Sequence, residues 1–298
     1  MAGSTAWMVR WMRNARVRRA WLGESSYSTM SSQPSKQHDA SVSMMVSEMF
    51  ASVQGEGPNS GRPSVFLRLG LCNLECAWCD TKYTWLFKEE QLRRIRADVA
   101  PDLKHTVGDR VFDRKGELQK LGLDQVIAQV NALGKSQISR AAAVVITGGE
   151  PLVHKPQLTY LVPALLDHGY EVEFETNGTL SPRGIPVERT VHFNVSPKLR
   201  NAAHGNTKQT IKPDVLREFV ERGAAFKFVI QSPNDVDEVL EVLDASSVPR
   251  ARVFLMPQGK THAELAERGA WVAELCVRHG LNYSHRVHVA LWGDKRGV

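Results

Sequence analysis

The stretch "GLCNLECAWCDTKYTW" (residues 70–85) holds three of the four cysteines of this 298-residue chain. Their spacing is Cys-x3-Cys-x2-Cys, so three thiolates lie close enough along the chain to hold one metal centre. A structural zinc site normally has four protein ligands, whereas an iron–sulfur cluster held by three cysteines leaves one iron open for another ligand. The spacing favours such a cluster at Cys72, Cys76 and Cys79. A zinc site completed by a distant His or Asp is the alternative.

The composition is that of an ordinary globular protein, with 42% hydrophobic and 23% charged residues. No apolar run approaches the roughly 18–20 residues that cross a bilayer, so no membrane segment is expected. Four cysteines in a chain of this length do not suggest a disulfide scaffold, and the fourth, Cys276, lies in an apolar helical pattern typical of core. We therefore expect a reducing, cytoplasmic location.

The basic charge of the chain is concentrated at its start. Residues 1–46 contribute +4 of the formal net charge of +6, which makes nucleic-acid binding by the remaining body poorly supported. This arm is rich in Arg and Ser, as in a transit peptide. Translation from a start codon set too far upstream would give the same pattern, and we favour this interpretation because Met44 and Met45 directly precede the regular pattern. Either way we predict that residues 1–46 are disordered and that one domain spans 47–298.

Within that domain, short β-type runs alternate with helical patterns, which favours parallel strands joined by crossover helices. Six or seven strands are too few for a closed eight-unit barrel, so an open or partial barrel is predicted. A charged segment at 88–118 is interpreted as a solvated insertion. The predicted strands are 47–52, 64–70, 142–147, 170–176, 190–195, 225–230, 252–256 and 285–291. The predicted helices are 123–133, 157–169, 213–223, 235–243 and 263–280.

Five of the predicted strands end in polar or glycine-rich sequences: "RLGLC", "VITGGEP", "EFETNGT", "FNVSPK" and "FLMPQG". Ligands of parallel α/β folds bind where the strands end at their carboxyl edge. Structural turns alone would explain any one of these sequences. Five of them on one edge indicate a single binding site that also includes the cysteine loop.

The cysteine spacing, with Trp78 directly before the last cysteine, resembles the signature of the radical S-adenosylmethionine superfamily. "TGGEP" (147–151) resembles its glycine-rich motif. The segments 50–81, "ETNGT" (175–179), "NVSPK" (194–198) and "LWGDKRGV" (291–298) further resemble the 7-carboxy-7-deazaguanine synthase family. The resemblance covers the chain from about residue 47 and is weak over 88–118. It implies a partial, open TIM-like (β/α)6 barrel of the radical S-adenosylmethionine type.

The family resemblance also implies a reaction. A 4Fe-4S cluster cleaves S-adenosylmethionine, and the resulting radical abstracts hydrogen from 6-carboxy-5,6,7,8-tetrahydropterin. Ring contraction with loss of ammonia then gives 7-carboxy-7-deazaguanine, a precursor in queuosine and 7-deazapurine biosynthesis. The implied cofactors are the cluster, S-adenosylmethionine and Mg2+, which carry the chemistry while the protein orients the reactants.

The resemblance assigns roles to residues of this sequence. The cluster ligands are Cys72, Cys76 and Cys79, and Thr81 is the Mg2+ ligand. The substrate-binding residues are Val53, Gln54, Gly55, Glu56, Arg68, Thr147 and His288. The S-adenosylmethionine-binding residues are Gly148, Gly149, Glu150, Ser196, Lys198, Met256, Pro257, Gln258 and Gly259. In chemical terms, a guanidinium at position 68 suits the pterin carboxylate, and carboxylates suit guanidine-like and ammonium groups.

The implied partners are the small pterin substrate, an electron donor such as flavodoxin or ferredoxin, and a second copy of the chain in a homodimer. Neither a membrane nor direct nucleic-acid contact is expected. One alternative is a glycyl-radical activating enzyme of the same superfamily, which would not need Gln54, Glu56 and Arg68 before the cysteine loop. Another is a zinc-stabilised binding module whose basic arm contacts nucleic acid, against which the five polar strand ends argue.

Overall fold

The computed structural model describes residues 42–99, 107–137, 143–202 and 210–298, in which nine strands form one sheet in the order β3-β1-β2-β4-β5-β6-β7-β8-β9. The strands are β1 (Ser43–Val53), β2 (Pro63–Leu69), β3 (Gln119–Gly122), β4 (Ala143–Gly148), β5 (Glu171–Thr176), β6 (Val191–Val195), β7 (Ala225–Ile230), β8 (Val253–Pro257) and β9 (Asn282–Tyr283). The α-helices are α1 (Glu89–Asp98), α2 (Arg114–Glu117), α3 (Leu123–Gln137), α4 (Lys155–Asp167), α5 (Pro213–Glu221), α6 (Asp235–Ser246), α7 (His262–His279) and α8 (Val287–Trp292).

The sheet is parallel from β2 through β4 to β9, and β1 pairs antiparallel with both β2 and β3. Its two outer strands, β3 and β9, do not pair with each other, so the sheet stays open. Helices α3 to α7 connect the parallel strands and cover the sheet. The predicted open α/β architecture is confirmed.

The central strands form because their side chains are apolar on both faces of the sheet. Residues 143–146 of β4, "AVVI", are all at most 1% exposed, as a parallel strand covered on both sides requires. Glycines end the helices where the sequence predicts. Gly280, with φ +65°, caps α7 in a left-handed conformation that other residues rarely adopt. None of the helices in the described ranges combines the length and apolar character that a membrane crossing requires.

Three features differ from the sequence prediction. Strand β1 begins at Ser43, and Met44 and Val46 are buried, so the ordered domain starts before residue 47. The rest of the predicted arm, residues 1–41, lies outside the described residues. Strands β3 and β9 were not predicted. Residues 285–291 were predicted as a strand because apolar residues alternate there, yet residues 287–292 form α8.

The segment at 88–118 is only partly the solvated insertion that its charge suggests. Helix α1 buries Leu92 and Ile95 in a cluster with Trp85 and Leu86, which follow the cysteines directly. Hydrophobic burial of this kind stabilises both partners. The described part of the segment therefore supports the cysteine loop, and the prediction of a purely surface elaboration is wrong for these residues.

Candidate active site

A cavity of about 900 Å³ lies at the carboxyl edge of the parallel strands. Strands β1, β2, β4, β5, β7 and β8, the loop after β6, the cysteine loop, α8 and the segment 293–298 all contribute to its wall. It contains every predicted site residue except Glu150 and Gly259. The predicted residues that line it are Cys72, Cys76, Cys79, Thr81, Val53, Gln54, Gly55, Glu56, Arg68, Thr147, His288, Gly148, Gly149, Ser196, Lys198, Met256, Pro257 and Gln258.

The cysteine loop is fixed by its neighbours before any metal binds. The backbone amide of Leu74 donates to Sγ of Cys72 at 3.4 Å, and the indole Nε1 of Trp85 donates to Sγ of Cys79 at 3.4 Å. Burial raises the pKa of the Cys76 thiol to about 12 and that of Cys72 well above its ordinary value. These thiols are therefore protonated at neutral pH until a metal displaces the proton.

The donor set fits a cluster better than a single ion. No group of three or more His, Cys, Asp or Glu side chains within the described ranges is arranged to hold one metal ion. Ligands to three different irons of a four-iron cube stand further apart than ligands to one zinc. Amide and indole hydrogen bonds to the sulfurs are also among the features that tune such clusters. The closed zinc site is therefore not favoured.

The glycines of "TGGEP" press against the start of the cysteine loop. A Cβ on Gly149 would lie 2.0 Å from the carbonyl oxygen of Leu71, and one on Gly148, where φ is +135°, would lie 2.0 Å from that of Leu69. Backbone hydrogen bonds from Gly149 to Leu69 (3.1 Å) and from Glu150 to Leu71 (2.9 Å) complete the contact. The glycines thus hold the loop directly and also line the cavity.

Glu150 does not meet the cavity, contrary to its predicted role towards an ammonium group. Its carboxylate is fully buried and accepts hydrogen bonds from the amides of Leu152 (2.9 Å) and Asn177 (2.7 Å) and from the hydroxyl of Thr176 (2.7 Å). Desolvation of the carboxylate explains its raised pKa. Glu150 therefore fixes the end of β5 beside the glycines.

The predicted S-adenosylmethionine residues that follow β6 and end β8 lie beside Cys76. Lys198 donates to the hydroxyl of Ser196 at 2.8 Å, and its Nζ lies 5.5 Å from the centre of the Trp78 ring. Met256 packs with Cys76 and Trp78 in one buried cluster. The amide of Gln258 extends β8 by donating to Ile230 at 2.9 Å.

Gly259 lies just outside the cavity wall. Its carbonyl accepts a hydrogen bond from Arg286, and a Cβ there would crowd Leu265 at 3.1 Å. Its role is therefore to let the chain after β8 approach α7 closely and to hold the Arg286 side chain.

Arg68 also lines the cavity, and a carboxylate orients its side chain. Its Nε donates to Oε1 of Glu48 at 2.6 Å, and its guanidinium lies over Phe50 at 5.7 Å. With the Nε side engaged, the NH1/NH2 edge is the one that can pair with a ligand carboxylate in the bidentate geometry.

A buried polar network lies beneath the cavity. Gln54 donates to Glu173 and, at 3.2 Å, to Glu175, and Asn194 donates to the same two carboxylates at 2.7 and 3.2 Å. Gln54, Glu173 and Asn194 are at most 3% exposed. The network holds the Glu175 carboxylate at the cavity wall.

Glu56 is the centre of an ionic network. Its two oxygens pair with Lys227 at 2.5 Å and with Nε of Arg286 at 3.0 Å, and Lys227 also pairs with Glu175 at 2.9 Å. Burial favours the protonated form of Glu56, but the charges of Lys227 and Arg286 outweigh it and hold the pKa of this carboxyl well below its usual range. Glu56 is therefore a fixed negative charge in the cavity wall.

His288 lies on α8 rather than on a strand. Its imidazole packs against Gly55, where a larger residue would collide with the ring. A Cβ on Gly55 would lie 2.0 Å from Nδ1 of His288, and the amide of Val287 donates to the carbonyl of Gly55 at 2.9 Å. Burial lowers the pKa of His288 despite the nearby Glu56. The imidazole is therefore neutral near pH 7 and can both donate and accept a hydrogen bond.

Thr81 offers one hard oxygen ligand. Its hydroxyl donates to the carbonyl of Gly148 at 3.2 Å, which leaves the oxygen lone pairs for a cation such as Mg2+. The neighbouring Asp80 pairs with Arg286 and with Lys260 (3.5 Å), so its charge is already balanced.

Sequence reasoning assigned no role to Glu175, Lys227, Arg286 or the segment 293–298, although the motifs "ETNGT" and "LWGDKRGV" contain Glu175 and that segment. For two of them a signal exists. Strand β5, "EVEFET", carries three glutamates at alternate positions, and β7, "AFKFVI", carries one lysine. Strands of a parallel sheet are ordinarily continuous apolar runs, so charges inside them indicate a buried ionic site.

The fold and the site together define a class. An open parallel sheet that carries a three-cysteine loop after its first parallel strand, with a glycine-rich turn packed on that loop and a polar cavity beside it, is a radical S-adenosylmethionine fold. No family model matches the chain.

Curated relatives identify the family. The chain is 36% identical over 260 residues to 7-carboxy-7-deazaguanine synthase of Pyrobaculum aerophilum, covering 87% of this chain and 99% of that protein. It is 33% identical to the Escherichia coli synthase, covering 82% and 96%. The crystal structure of QueE from Escherichia coli aligns with a TM-score of 0.58 and 25% identity, covering 83% of this chain and 95% of that one. The chain belongs to the 7-carboxy-7-deazaguanine synthase family.

Proposed function

We propose that this protein is a radical S-adenosylmethionine lyase that converts 6-carboxy-5,6,7,8-tetrahydropterin to 7-carboxy-7-deazaguanine with loss of ammonia. The observation that carries the proposal is the single cavity shared by the cysteine loop, Arg68 and the Glu56–Lys227 network. Family membership supports it, because the relatives carry that activity in their names. The product enters queuosine and 7-deazapurine biosynthesis.

Part of the cavity wall would hold the cofactors. Cys72, Cys76 and Cys79 would hold a 4Fe-4S cluster, which supplies the electron that cleaves S-adenosylmethionine into a hydrogen-abstracting radical. Gly148, Gly149, Ser196, Lys198, Met256, Pro257 and Gln258 would bind S-adenosylmethionine. Thr81 would hold Mg2+. Hydrogen bonds from Leu74 and Trp85 would support the sulfurs of Cys72 and Cys79.

Other residues of the cavity wall would bind the substrate. Arg68 would pair with the pterin carboxylate through its NH1/NH2 edge, while Glu56 and Glu175 present carboxylate oxygens to the aminopyrimidine ring. The wall would be completed by Val53, Gln54, Gly55 and Thr147. Neutral His288 would donate a hydrogen bond to the pterin ring or accept one from it. The guanidinium of Arg68 and the carboxylate of Glu56 would therefore hold the pterin at two points, which orients it for the reaction.

We infer the remaining partners from the family. A flavodoxin or ferredoxin would supply the electron, the chain would form a homodimer, and a reducing cytoplasm would preserve the cluster. The four cysteines, all in described ranges, form no disulfide, which agrees with that compartment. Light scattering of the purified chain checks the dimer.

The test is an anaerobic assay of the reconstituted protein with S-adenosylmethionine, a reductant, Mg2+ and 6-carboxytetrahydropterin, with mass detection of the product. We expect 7-carboxy-7-deazaguanine from the wild type and none from Cys76→Ala, which also loses iron. Cys276→Ala is the matched control, because Cys276 is a buried core residue of α7. A brown protein that makes 5′-deoxyadenosine without deazaguanine would refute the substrate, and a colourless zinc protein would refute the class.

A further inference from the structure

Arg296 makes more contacts than its exposed position suggests. Its Nε pairs with Oε2 of Glu48 at 2.8 Å and its NH1 with Glu117 of α2 at 2.7 Å. Its guanidinium also stacks on the ring of Tyr83 at 3.8 Å from the ring centre. One side chain after α8 thus joins β1, the cysteine loop and α2, which lies at the end of the charged segment 88–118.

Glu48 connects Arg296 to Arg68, which lines the cavity. Its Oε1 accepts from Nε of Arg68 at 2.6 Å and from the hydroxyl of Tyr83 at 2.9 Å, while its Oε2 accepts from Arg296. Both oxygens are used, so the position of the Glu48 carboxylate depends on all three partners. A shift of Arg296 therefore alters the support of Arg68.

The segment 293–298, which we call the strap, crosses the cavity. All six of its residues line the cavity wall. Residues 294–297 are exposed, whereas Val298 is more shielded, so the strap turns inward after Arg296. Outside the Arg296 contacts, the strap makes a backbone hydrogen bond from Gly293 to Val289 at 2.8 Å, at the end of α8, and a long pair between Asp294 and Lys260 at 3.6 Å. Arg296 is therefore its main anchor.

We propose that Arg296 is a positioning residue that fastens the strap over the pterin side of the cavity and, through Glu48, orients the Arg68 guanidinium for the ligand carboxylate. The inference rests on the proposed function for the identity of that ligand. It assigns no chemistry to Arg296 itself. The anchor combines two partly exposed ion pairs with a cation–π contact, interactions that are individually weak. The strap can therefore open for substrate entry.

The test uses the full-length, cluster-loaded protein and two readouts. Limited trypsin digestion followed by mass spectrometry gives the rate of cleavage after Lys295, which requires the strap to leave the surface. Steady-state assays give kcat and KM for 6-carboxytetrahydropterin. The variants are Arg296→Gln, Arg296→Lys and the control Arg278→Gln, an exposed arginine of α7 remote from the cavity.

For Arg296→Gln we expect cleavage after Lys295 and KM each to rise about three- to tenfold, as the loss of two partly exposed ion pairs implies. kcat should change less, because the lost contacts act in both ground and transition states. Arg296→Lys should recover part of both effects, since lysine keeps the charge but cannot reach two carboxylates in a fork. Arg278→Gln should match the wild type.

Wild-type cleavage and KM in Arg296→Gln would overturn the proposal. Faster cleavage with an unchanged KM would also overturn the positioning role. If the wild type made no deazaguanine, the proposed function would fall, whereas the cleavage rates would still decide whether Arg296 fastens the strap.

Discussion

Lys227 shows at the scale of one residue how the cavity wall is stabilised. It is 3% exposed and neutralises both Glu56 and Glu175. Removing one partner of a buried ion pair costs about 3–5 kcal/mol, because the remaining charge loses its compensation. We expect Lys227→Met to lower the free energy of unfolding by that amount in urea. Lys295→Met, which alters an exposed lysine, should leave it within about 0.5 kcal/mol of wild type.

The depressed pKa of Glu56 predicts a pH dependence of stability. The pKa of a glutamate in the unfolded chain is about 4.3. In the folded protein, burial acts to raise the pKa of Glu56, but the charges of Lys227 and Arg286 outweigh it and keep the pKa lower. A depressed carboxyl pKa stabilises the fold above the unfolded pKa, and the contribution is lost as the pH falls towards the folded value.

We therefore expect the stability difference between wild type and Glu56→Gln to be largest above pH 5 and to shrink towards pH 3, about one pH unit below the unfolded pKa. Urea unfolding from pH 3 to 7 measures it. Glu267→Gln, an exposed position on α7, is the control. A difference that does not vary with pH would contradict this explanation.

At the scale of elements, β4 and the cysteine loop are joined by glycine. Because a Cβ on Gly149 would lie 2.0 Å from the backbone oxygen of Leu71, Gly149→Ala must displace the loop. We expect reconstituted Gly149→Ala to hold less than half the iron of the wild type while its far-UV circular dichroism is retained. Gly122→Ala, where the nearest atom is a side-chain oxygen at 3.5 Å, should load normally. Full iron loading of Gly149→Ala would show that the contact is dispensable.

Helix α1 packs against Trp85 and Leu86, which follow the cysteines in the chain. Ile95 is 1% exposed and packs in the cluster that contains Trp85 and Leu86. Ile95→Ala should cost about 2–4 kcal/mol of stability. It should also accelerate amide exchange in residues 82–87 by mass spectrometry, with Arg93→Ala as the exposed control on the same helix. Unchanged exchange there would mean that α1 folds independently of the loop.

These elements also show what the sequence can predict. The parallel strands and crossover helices were predictable from local sequence, because runs of β-branched residues indicate strands and glycines mark the ends of helices. A strand was wrongly predicted at 285–291 because Val287, Val289 and Leu291 stand at alternate positions. The helix found there begins with a hydrogen bond from the amide of Val287 to Gly55, which is remote in sequence. The cysteine loop and its glycines form local motifs. In contrast, the pairing of Glu56 with Lys227 and Arg286 joins residues 171 and 230 positions apart, which no local pattern specifies.

At the scale of the whole molecule, the main core does not include the cluster ligands. The large apolar cluster between the sheet and helices α3 to α7 contains none of Cys72, Cys76 and Cys79, which pack in two smaller clusters. Small domains whose core depends on zinc unfold without metal. This protein should instead keep its sheet and lose order only around the loop.

We expect hydrogen exchange of cluster-free protein to rise over residues 70–87 and to stay unchanged in β4 to β8, relative to the anaerobic, cluster-loaded form. Reconstitution should also raise the melting temperature, because a ligand that binds only the folded loop stabilises it. Cys76→Ala should show neither change on reconstitution, while Cys276→Ala should show both. Loss of protection throughout the sheet on cluster removal would mean that the three thiolates, rather than the apolar layers, stabilise the fold.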